Sequence, residues 1–178
     1  MKPNPYKATV KEMNGLPTKF KLVILCLITG FSQQIMAAGA AVLPGMNINP
    51  NITTVGKPVK VTSSMTNSTN AIVPTASLLY RGVTCGRAPY GLVINNNVKL
   101  SFSNPNSIAT GACSVGNWYS SYMVGCSIQN LSPNETATAT FVVTPSEKNR
   151  GQYYNLGTCV LVPNTATGVA RATLTVLP

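Results

Sequence analysis

Short runs of alternating apolar and polar residues, separated by turn residues, dominate the chain from about residue 42 to its end. Within 59–66, Val, Val, Ser and Met alternate with Lys, Thr, Ser and Thr, which is the period-two pattern of a strand with one solvated face. The same alternation returns in 137–144 and 168–178. Gly, Pro and Asn interrupt these runs at spacings of about eight to twelve residues, and helical periodicity is missing. The pattern therefore predicts an all-β fold.

A chain of this kind is expected to form an immunoglobulin-like antiparallel β-sandwich of about seven to eight strands. We predict one such domain over residues 41–178. Pro44 should restrict the first run to a sheet edge, and Pro74 should break the strand within 71–82. Turns are expected at Gly56-Pro58, at the polar run 67–70, and at Pro133-Asn134.

Residues 1–40 have the layout of a cleaved signal peptide with a long N-terminal region. Lys19 and Lys21 precede an apolar run over 22–31, and Ala38-Gly39-Ala40 gives a small-residue cleavage pattern. The apolar run is shorter than the ~20 residues that span a bilayer, although an uncleaved anchor is the alternative. Cleavage after Ala37, Ala38 or Ala40 fits equally well, and translation from Met13 is a further option. The protein is thus predicted to be exported to the periplasm, cell surface or medium.

Four cysteines follow the predicted cleavage region, and an even number in an exported chain predicts two disulfides. Three pairings are open. The preferred one joins Cys113 to Cys126, which closes a short hairpin-like segment, and Cys85 to Cys159, which ties distant strands.

Three segments resemble the bacterial conserved-repeat immunoglobulin-like domain (domain of unknown function eleven), which is related to the CARDB adhesion domains. They are TTVGKPVKVTSSMTNST, CSIQNLSPNETATATFVVTPSEKNRGQYYNLGTCVLV and ARATLTV. The residues that carry the resemblance are Val55-Gly56, Thr66-Asn67, the cysteines 113 and 126, Leu131-Ser132-Pro133 and the run 136–141. PNTATG replaces the family's Asp/Asn-rich run, so its calcium-linked role is not carried over. The resemblance implies surface, envelope or extracellular placement with structural or adhesive duties, and no catalytic residues.

The acid–base residues that most enzymes use are nearly absent. The chain has no His and no Asp, which excludes a Ser-His-Asp triad and a Cys-His pair. Only Glu135 and Glu147 follow the cleavage region, and their turn and loop contexts predict exposed solubility residues. Two carboxylates do not form a calcium site, and exported cysteines favour disulfides over zinc. We therefore predict a protein that is not an enzyme and binds no metal or cofactor.

Aromatic residues mark the one segment that suggests a binding site. Trp118, Tyr119 and Tyr122 fall in a Gly- and Ser-rich loop between two cysteines, and together with Arg81 and Arg87 they are candidate ligand or partner contacts. The alternative is that Trp118 packs in or beside the core. N-x-S/T matches at positions 51, 67, 130 and 134 are interpreted as chance.

The number and distribution of charged residues indicate which classes of partner to expect. Residues 41–178 carry eight basic and two acidic residues, a net charge of +6, but the bases are scattered, so nucleic acid is excluded as a partner. The favoured hypothesis is a structural or adhesive module that contacts envelope or surface proteins. A carbohydrate- or anionic-glycan-binding module and a secreted inhibitor or effector with one protein target are the alternatives. The sequence does not define an oligomeric state.

Overall fold

The computed structural model describes residues 42–82, 90–95, 97–118, 121–165 and 168–178. Eleven strands and one short 3-10 helix, Glu147–Asn149, lie in these ranges. The strands are β1 Val42–Asn49, β2 Ile52–Thr53, β3 Val59–Asn67, β4 Val73–Gly82, β5 Leu92–Ile94, β6 Lys99–Phe102, β7 Thr110–Trp118, β8 Ser121–Leu131, β9 Thr136–Pro145, β10 Tyr153–Leu161 and β11 Gly168–Val176. The all-β prediction is confirmed.

Two sheets form the sandwich. Sheet A has the order β1-β3-β9, with β5 and β6 both pairing with the far side of β9, and sheet B has the order β2-β11-β10-β4-β8-β7. Neighbouring strands are antiparallel except β2, which runs parallel to β11. The predicted strand count and the purely antiparallel arrangement were therefore wrong in detail. The reason is that β2 and β5, with two and three residues, are too short to show an alternating pattern.

The alternation of apolar and polar residues in the sequence correctly predicts which residues of β3, β9 and β11 form the core. The odd positions of β3 and of β9 point inward and are buried, and in β11 Leu174 and Val176 are buried as expected. Tyr80 and Phe141 are the largest fully buried side chains, and their rings meet edge to face with centroids 5.0 Å apart. Burying each such side chain contributes about 1.5–3 kcal/mol, so the two sheets are joined mainly by apolar contacts.

A pair of buried hydroxyl groups joins the two sheets. The Thr158 hydroxyl of sheet B donates to the Ser63 hydroxyl of sheet A at 2.8 Å, and both residues are buried. Each hydroxyl therefore satisfies the other, and removing only one of them would leave an unpaired polar group.

The predicted turns are present, and two of them contain a residue of positive φ. Gly56 has φ 76°, and the Lys57 N–H donates to the Thr54 carbonyl at 3.2 Å. Asn134 has φ 59° in the turn closed by the Glu135 N–H and the Ser132 carbonyl. Glycine and asparagine are the residues that tolerate this conformation, as type II turns require.

The two prolines behave differently. Pro44 lies in β1, the edge strand of sheet A, as predicted. Pro74 does not break its strand, because it is the second residue of β4 and the pairing with β8 continues on both sides of it.

Buried asparagines organise two connections that the sequence suggested were simple polar loops. The Asn67 amide donates to the Leu131 and Ala71 carbonyls at 2.9 and 2.8 Å, and its carbonyl accepts from the N–H and hydroxyl of Thr69. Asn149 likewise donates to the Tyr90 carbonyl and the Tyr154 hydroxyl. Both asparagines are fully buried, so hydrogen bonds from buried side chains hold these two connections in place.

Residues 1–40, predicted as a signal peptide, lie outside the described residues, and the boundary at residue 41 stays a prediction. In the described ranges, no helix has the length and apolar character needed to cross a membrane.

Candidate functional site

The segment between Cys113 and Cys126 is a paired hairpin. β7 and β8 remain in register from Thr110 opposite Gln129 to Trp118 opposite Ser121. Cys113 and Cys126 are direct cross-strand partners and form a disulfide on the inner face of sheet B. The predicted hairpin-like closure by these two cysteines is confirmed. The open part of the segment is shorter than expected, because β-forming residues on both sides of the turn, such as Val115 and Val124, extend the ladder almost to its tip.

The hairpin leaves β7 as the outer strand of sheet B. It has nine residues, TGACSVGNW, without a charge or a proline. The Cα atoms of Cys113 and Cys126 are only 4.0 Å apart, which identifies them as a pair that does not exchange backbone hydrogen bonds. By alternation, Gly111, Cys113 and Val115 direct their N–H and C=O groups away from β8. This open row is a ready template for another strand.

The other edge strands each carry a protecting feature. β1 contains Pro44, β6 begins with Lys99, and β2 and β5 have only two and three residues. Charges, proline and short length are the usual devices that keep sheet edges from pairing with other chains. Among the described edges, β7 is thus the long one that lacks such a device.

The structure places part of the predicted aromatic and basic set near the hairpin tip. Trp118 ends β7 and Tyr122 lies on β8, while Tyr119 and Arg87 lie outside the described residues. Arg81, half-buried on β4, follows Tyr80, which pairs with Val124 of β8. The register therefore brings the Arg81 backbone to the end of sheet B where the hairpin turns.

Only one cysteine of the second predicted disulfide lies in the part of the chain that the structure describes. Cys159 is buried in β10 and is disulfide-bonded, and Cys85 lies outside the described residues. The pairing of these two cysteines stays a prediction.

Glu135 and Glu147 differ in their solvent exposure, although the sequence predicted that both are exposed. Glu147 is exposed and pairs with Arg150 at 2.9 Å, as expected of a loop residue. Glu135 is only 3% exposed, and one of its carboxylate oxygens accepts from the Ser132 N–H at 3.0 Å. The prediction that Glu135 is an exposed solubility residue was wrong. Its carboxylate closes the 132–135 turn, because a side chain at the last position of this turn reaches back to the first N–H.

Chemistry at either glutamate finds no support in this geometry. Within the described ranges, no group of three His, Cys, Asp or Glu side chains is placed to hold a metal ion. Among the described residues, Tyr80 has a clearly shifted pKa, because burial raises the pKa of its phenol above the usual range. Its hydroxyl lies in the core without a hydrogen-bond partner among the described residues, so it is a packing residue.

A basic depression on the outer face of sheet A was not anticipated. It has a volume of about 460 Å³ and is lined by Lys60, Asn95, Asn97, Lys99 and the Thr140–Val142 part of β9. The two lysines stand in similar strand segments, VKVTSS and VKLSFS. Alternation alone predicts that each lysine faces outward, but only the pairing of β3 and β6 with opposite sides of β9 brings the two together.

The N-x-T match at Asn67 can be interpreted from its burial. Its side-chain amide is fully buried and donates two hydrogen bonds, so a glycan on this nitrogen would disrupt the turn. The structure thus assigns this match a structural role.

Comparison with known proteins gives a likeness of fold. No family model and no curated protein matches the chain. Solved structures similar to it include the N-terminal domain of the Streptococcus gordonii adhesin Sgo0707 (8% identity, TM-score 0.55, covering 76% of this chain and 32% of that one). The Corynebacterium diphtheriae major pilin SpaA is similar too (10% identity, TM-score 0.50, covering 71% of this chain and 33% of that one). A CARDB domain of the Pyrococcus furiosus protein PF1109 has 15% identity and a TM-score of 0.45, with coverage of 76% of this chain and 92% of that one.

The chain spans about a third of the adhesin and pilin chains that it matches, 32% and 33%. At these identities the likeness shows the architecture: the chain has a two-sheet, immunoglobulin-like β-sandwich that also occurs in a bacterial adhesin and a bacterial pilin.

Proposed function

We propose that this protein is a non-catalytic structural or adhesive module of a bacterial envelope or surface, and that it acts through contacts with other proteins. The observation that carries the proposal is the unprotected edge of β7. Gly111, Cys113 and Val115 offer free backbone groups at every second residue, and the disulfide holds this edge against β8. An extended segment of a partner protein can add to such an edge as a new strand.

The energetics of strand addition fit a contact made at an exposed edge. Each net backbone hydrogen bond contributes about 0.5–1.5 kcal/mol, so three outward-facing residues give a modest affinity by themselves. Specificity must then come from side chains that flank the edge. The small residues Ala112 and Ser114 leave room for larger partner side chains on the outer face, and both are exposed.

The placement of the protein belongs to the same proposal. Export to the periplasm, surface or medium is supported by the signal-like N-terminus and by a disulfide, which persists in oxidising compartments. Membership of the conserved-repeat immunoglobulin-like family is proposed on the strand and turn residues described above. The occurrence of this fold in an adhesin and in a pilin that takes part in pilus assembly supports a role of the same general kind.

Site-specific photocrosslinking tests the contact directly. A photoreactive amino acid replaces Ser114 in the tagged full-length chain, which is expressed in its native host and irradiated. We expect a discrete covalent adduct with one envelope or surface protein, attached through an extended segment. Recovery of the protein without an adduct, mainly in the medium, would contradict the proposal.

Added charge gives the matching loss-of-contact experiment. Ala112→Lys with Ser114→Lys places two charges on the edge strand, and Thr75→Lys with Thr173→Lys places two charges on exposed positions of other strands of sheet B. The edge pair should abolish recovery of the partner, and the control pair should retain it. Equal recovery with both pairs would show that the contact lies elsewhere.

A second candidate is a glycan-binding module that uses the hairpin tip. It is supported by the register that brings Arg81 to the same end of sheet B as Trp118 and Tyr122. A glycan array with wild-type protein and with Trp118→Ala tests it. Binding that disappears in a variant with an unchanged melting temperature would favour this function over the first.

A further inference from the structure

The basic depression on sheet A is built by three strands. Its floor is the outer face of β9 at Thr140 and Val142. Lys60 on β3 pairs with Val142 on one side of β9, and Lys99 on β6 pairs with Thr140 on the other. Because each neighbouring strand is ~4.8 Å away and two residues rise ~6.7 Å, the two lysine Cα atoms are ~12 Å apart. Both side chains can therefore reach one group held over β9.

The connection between β5 and β6 forms the remaining wall. The Asn95 N–H donates to the Val142 carbonyl at 3.0 Å, which holds this connection against β9. The Asn95 side-chain carbonyl accepts from the Asn97 N–H at 3.1 Å. This turn occupies the acceptor end of the amide and leaves its two N–H donors without a partner among the described residues.

The described lining of the depression presents hydrogen-bond donors and contains no carboxylate. Lys60 and Lys99 are exposed, and neither side chain has an ion pair or hydrogen bond within the described ranges. The Thr140 hydroxyl is also without a described partner. Of the two glutamates after residue 41, Glu135 is buried in its turn and Glu147 pairs with Arg150. Positive charge at this position is thus not balanced by a neighbouring acid.

We infer that this depression is a binding site for an anionic group, a carboxylate or phosphate, carried on a hydroxyl-rich glycan chain. Two ammonium groups, an amide and a hydroxyl match the acceptor oxygens of such an anion, and charge-assisted hydrogen bonds are the stronger ones. The volume of about 460 Å³ is that of a small-ligand site. The site lies on sheet A, whereas the proposed protein contact lies on the edge of sheet B.

A row of hydroxyl groups extends from the depression along sheet A and favours a glycan over an isolated ion. Thr62 of β3 pairs with Thr140 of β9, and Ser64 pairs with Thr138. Ser101 of β6 is opposite Thr138 on the other side. These side chains are at the surface of the sheet, half-buried or exposed, and they offer hydrogen bonds to the hydroxyl groups of neighbouring sugar units.

Affinity electrophoresis of the full-length chain in gels that contain a defined polymer tests the site. The probes are polygalacturonate, which carries carboxylates, polyphosphate, which carries phosphates, and neutral dextran. The test variant is Lys60→Gln with Lys99→Gln. The charge-matched control is Lys57→Gln with Lys148→Gln, which removes two exposed lysines outside the depression.

We expect at least one acidic polymer to retard the wild-type protein, and dextran to leave it unretarded. The affinity of the Lys60/Lys99 variant should be at least about tenfold weaker, since two hydrogen bonds to a charged group are lost. The control should change binding by less than about threefold, because the removed charges act only through a screened field. Retardation by polygalacturonate supports an acidic glycan, whereas retardation by polyphosphate alone would contradict the glycan part of the inference, because polyphosphate carries no sugar.

Three results would overturn the inference: wild-type protein that no acidic polymer retards, equal weakening in both double variants, or equal retardation by dextran. Thermal melting of each variant accompanies the gels. Since all four substituted side chains are exposed, the melting temperatures should agree with that of the wild type. The photocrosslinking experiment at position 114 is independent of this result, so either proposal can fail alone.

Discussion

Replacement of Asn67 by alanine tests the claim that a buried amide fixes one end of the sandwich. The side chain is fully buried and makes four hydrogen bonds that join the end of β3 to the Leu131 carbonyl, the Ala71 carbonyl and Thr69. The variant leaves the buried Leu131 carbonyl without its donor, which costs about 1–3 kcal/mol, and loses two bonds to Thr69 at about 0.5–1.5 kcal/mol each. These terms add to about 2–6 kcal/mol, so the free energy of unfolding should fall by about 4 kcal/mol.

Thermal unfolding followed by circular dichroism measures this change. At ~4 °C per kcal/mol for a domain of this size, the melting temperature should drop by about 16 °C. Asn70→Ala is the control, because Asn70 lies in the same turn but is exposed, and its effect should stay below about 2 °C. Asn67→Asp keeps the acceptor for Thr69 but turns a carboxylate toward two carbonyls, so at neutral pH it should be no more stable than the alanine variant. Equal melting temperatures for Asn67→Ala and Asn70→Ala would refute the reasoning.

Three further predictions concern the core and the disulfide. Burial raises the pKa of the Tyr80 phenol, so its contribution to stability is complete below the unfolded pKa of ~10 and is lost as pH rises above it. Tyr80→Phe should therefore reduce the alkaline loss of stability in pH-dependent melts, and a slope equal to that of the wild type would contradict this. Ser63→Ala or Thr158→Val alone should lower the free energy of unfolding by about 1–3 kcal/mol, whereas the double variant should cost less than their sum; strict additivity in urea titrations would show that the two hydroxyls are not coupled. Replacing Cys113 and Cys126 together by alanine should lower the free energy of unfolding by about 2–4 kcal/mol, and an unchanged urea midpoint would show that the disulfide does not stabilise the fold.

The sequence predicts the strands whose two faces differ. In β3 and β9 every second residue is apolar or small and inward, so the strand and its face follow from alternation. It does not predict that β5 and β6 both pair with β9, because that depends on contacts between residues more than 35 positions apart, such as Lys99 and Thr140. The basic depression was missed for this reason.

Residue type alone gave the wrong solvent exposure at positions where tertiary contacts determine burial. Glu135 and Asn149 stand in segments rich in turn residues, and composition alone places them in solvent. Both are buried, because each side chain accepts a backbone N–H from the residue three positions earlier, Ser132 or Ser146, at 3.0 and 2.8 Å. The local turn signal was correct, but it could not predict that the backbone of Asn67 would hydrogen-bond to Asn134 and Glu135 in the first of these turns.

The disulfide between β7 and β8 also determines the register that a partner would encounter. Cys113 faces Cys126 directly, so any slip of β7 along β8 would separate the two sulfurs. A slip by one residue would also exchange the inward and outward sides of β7. Oxidation therefore restricts the edge to a single set of outward-facing backbone groups, at Gly111, Cys113 and Val115. Reduction of this bond removes the covalent restriction and leaves only hydrogen bonds and packing to hold the outer strand in place.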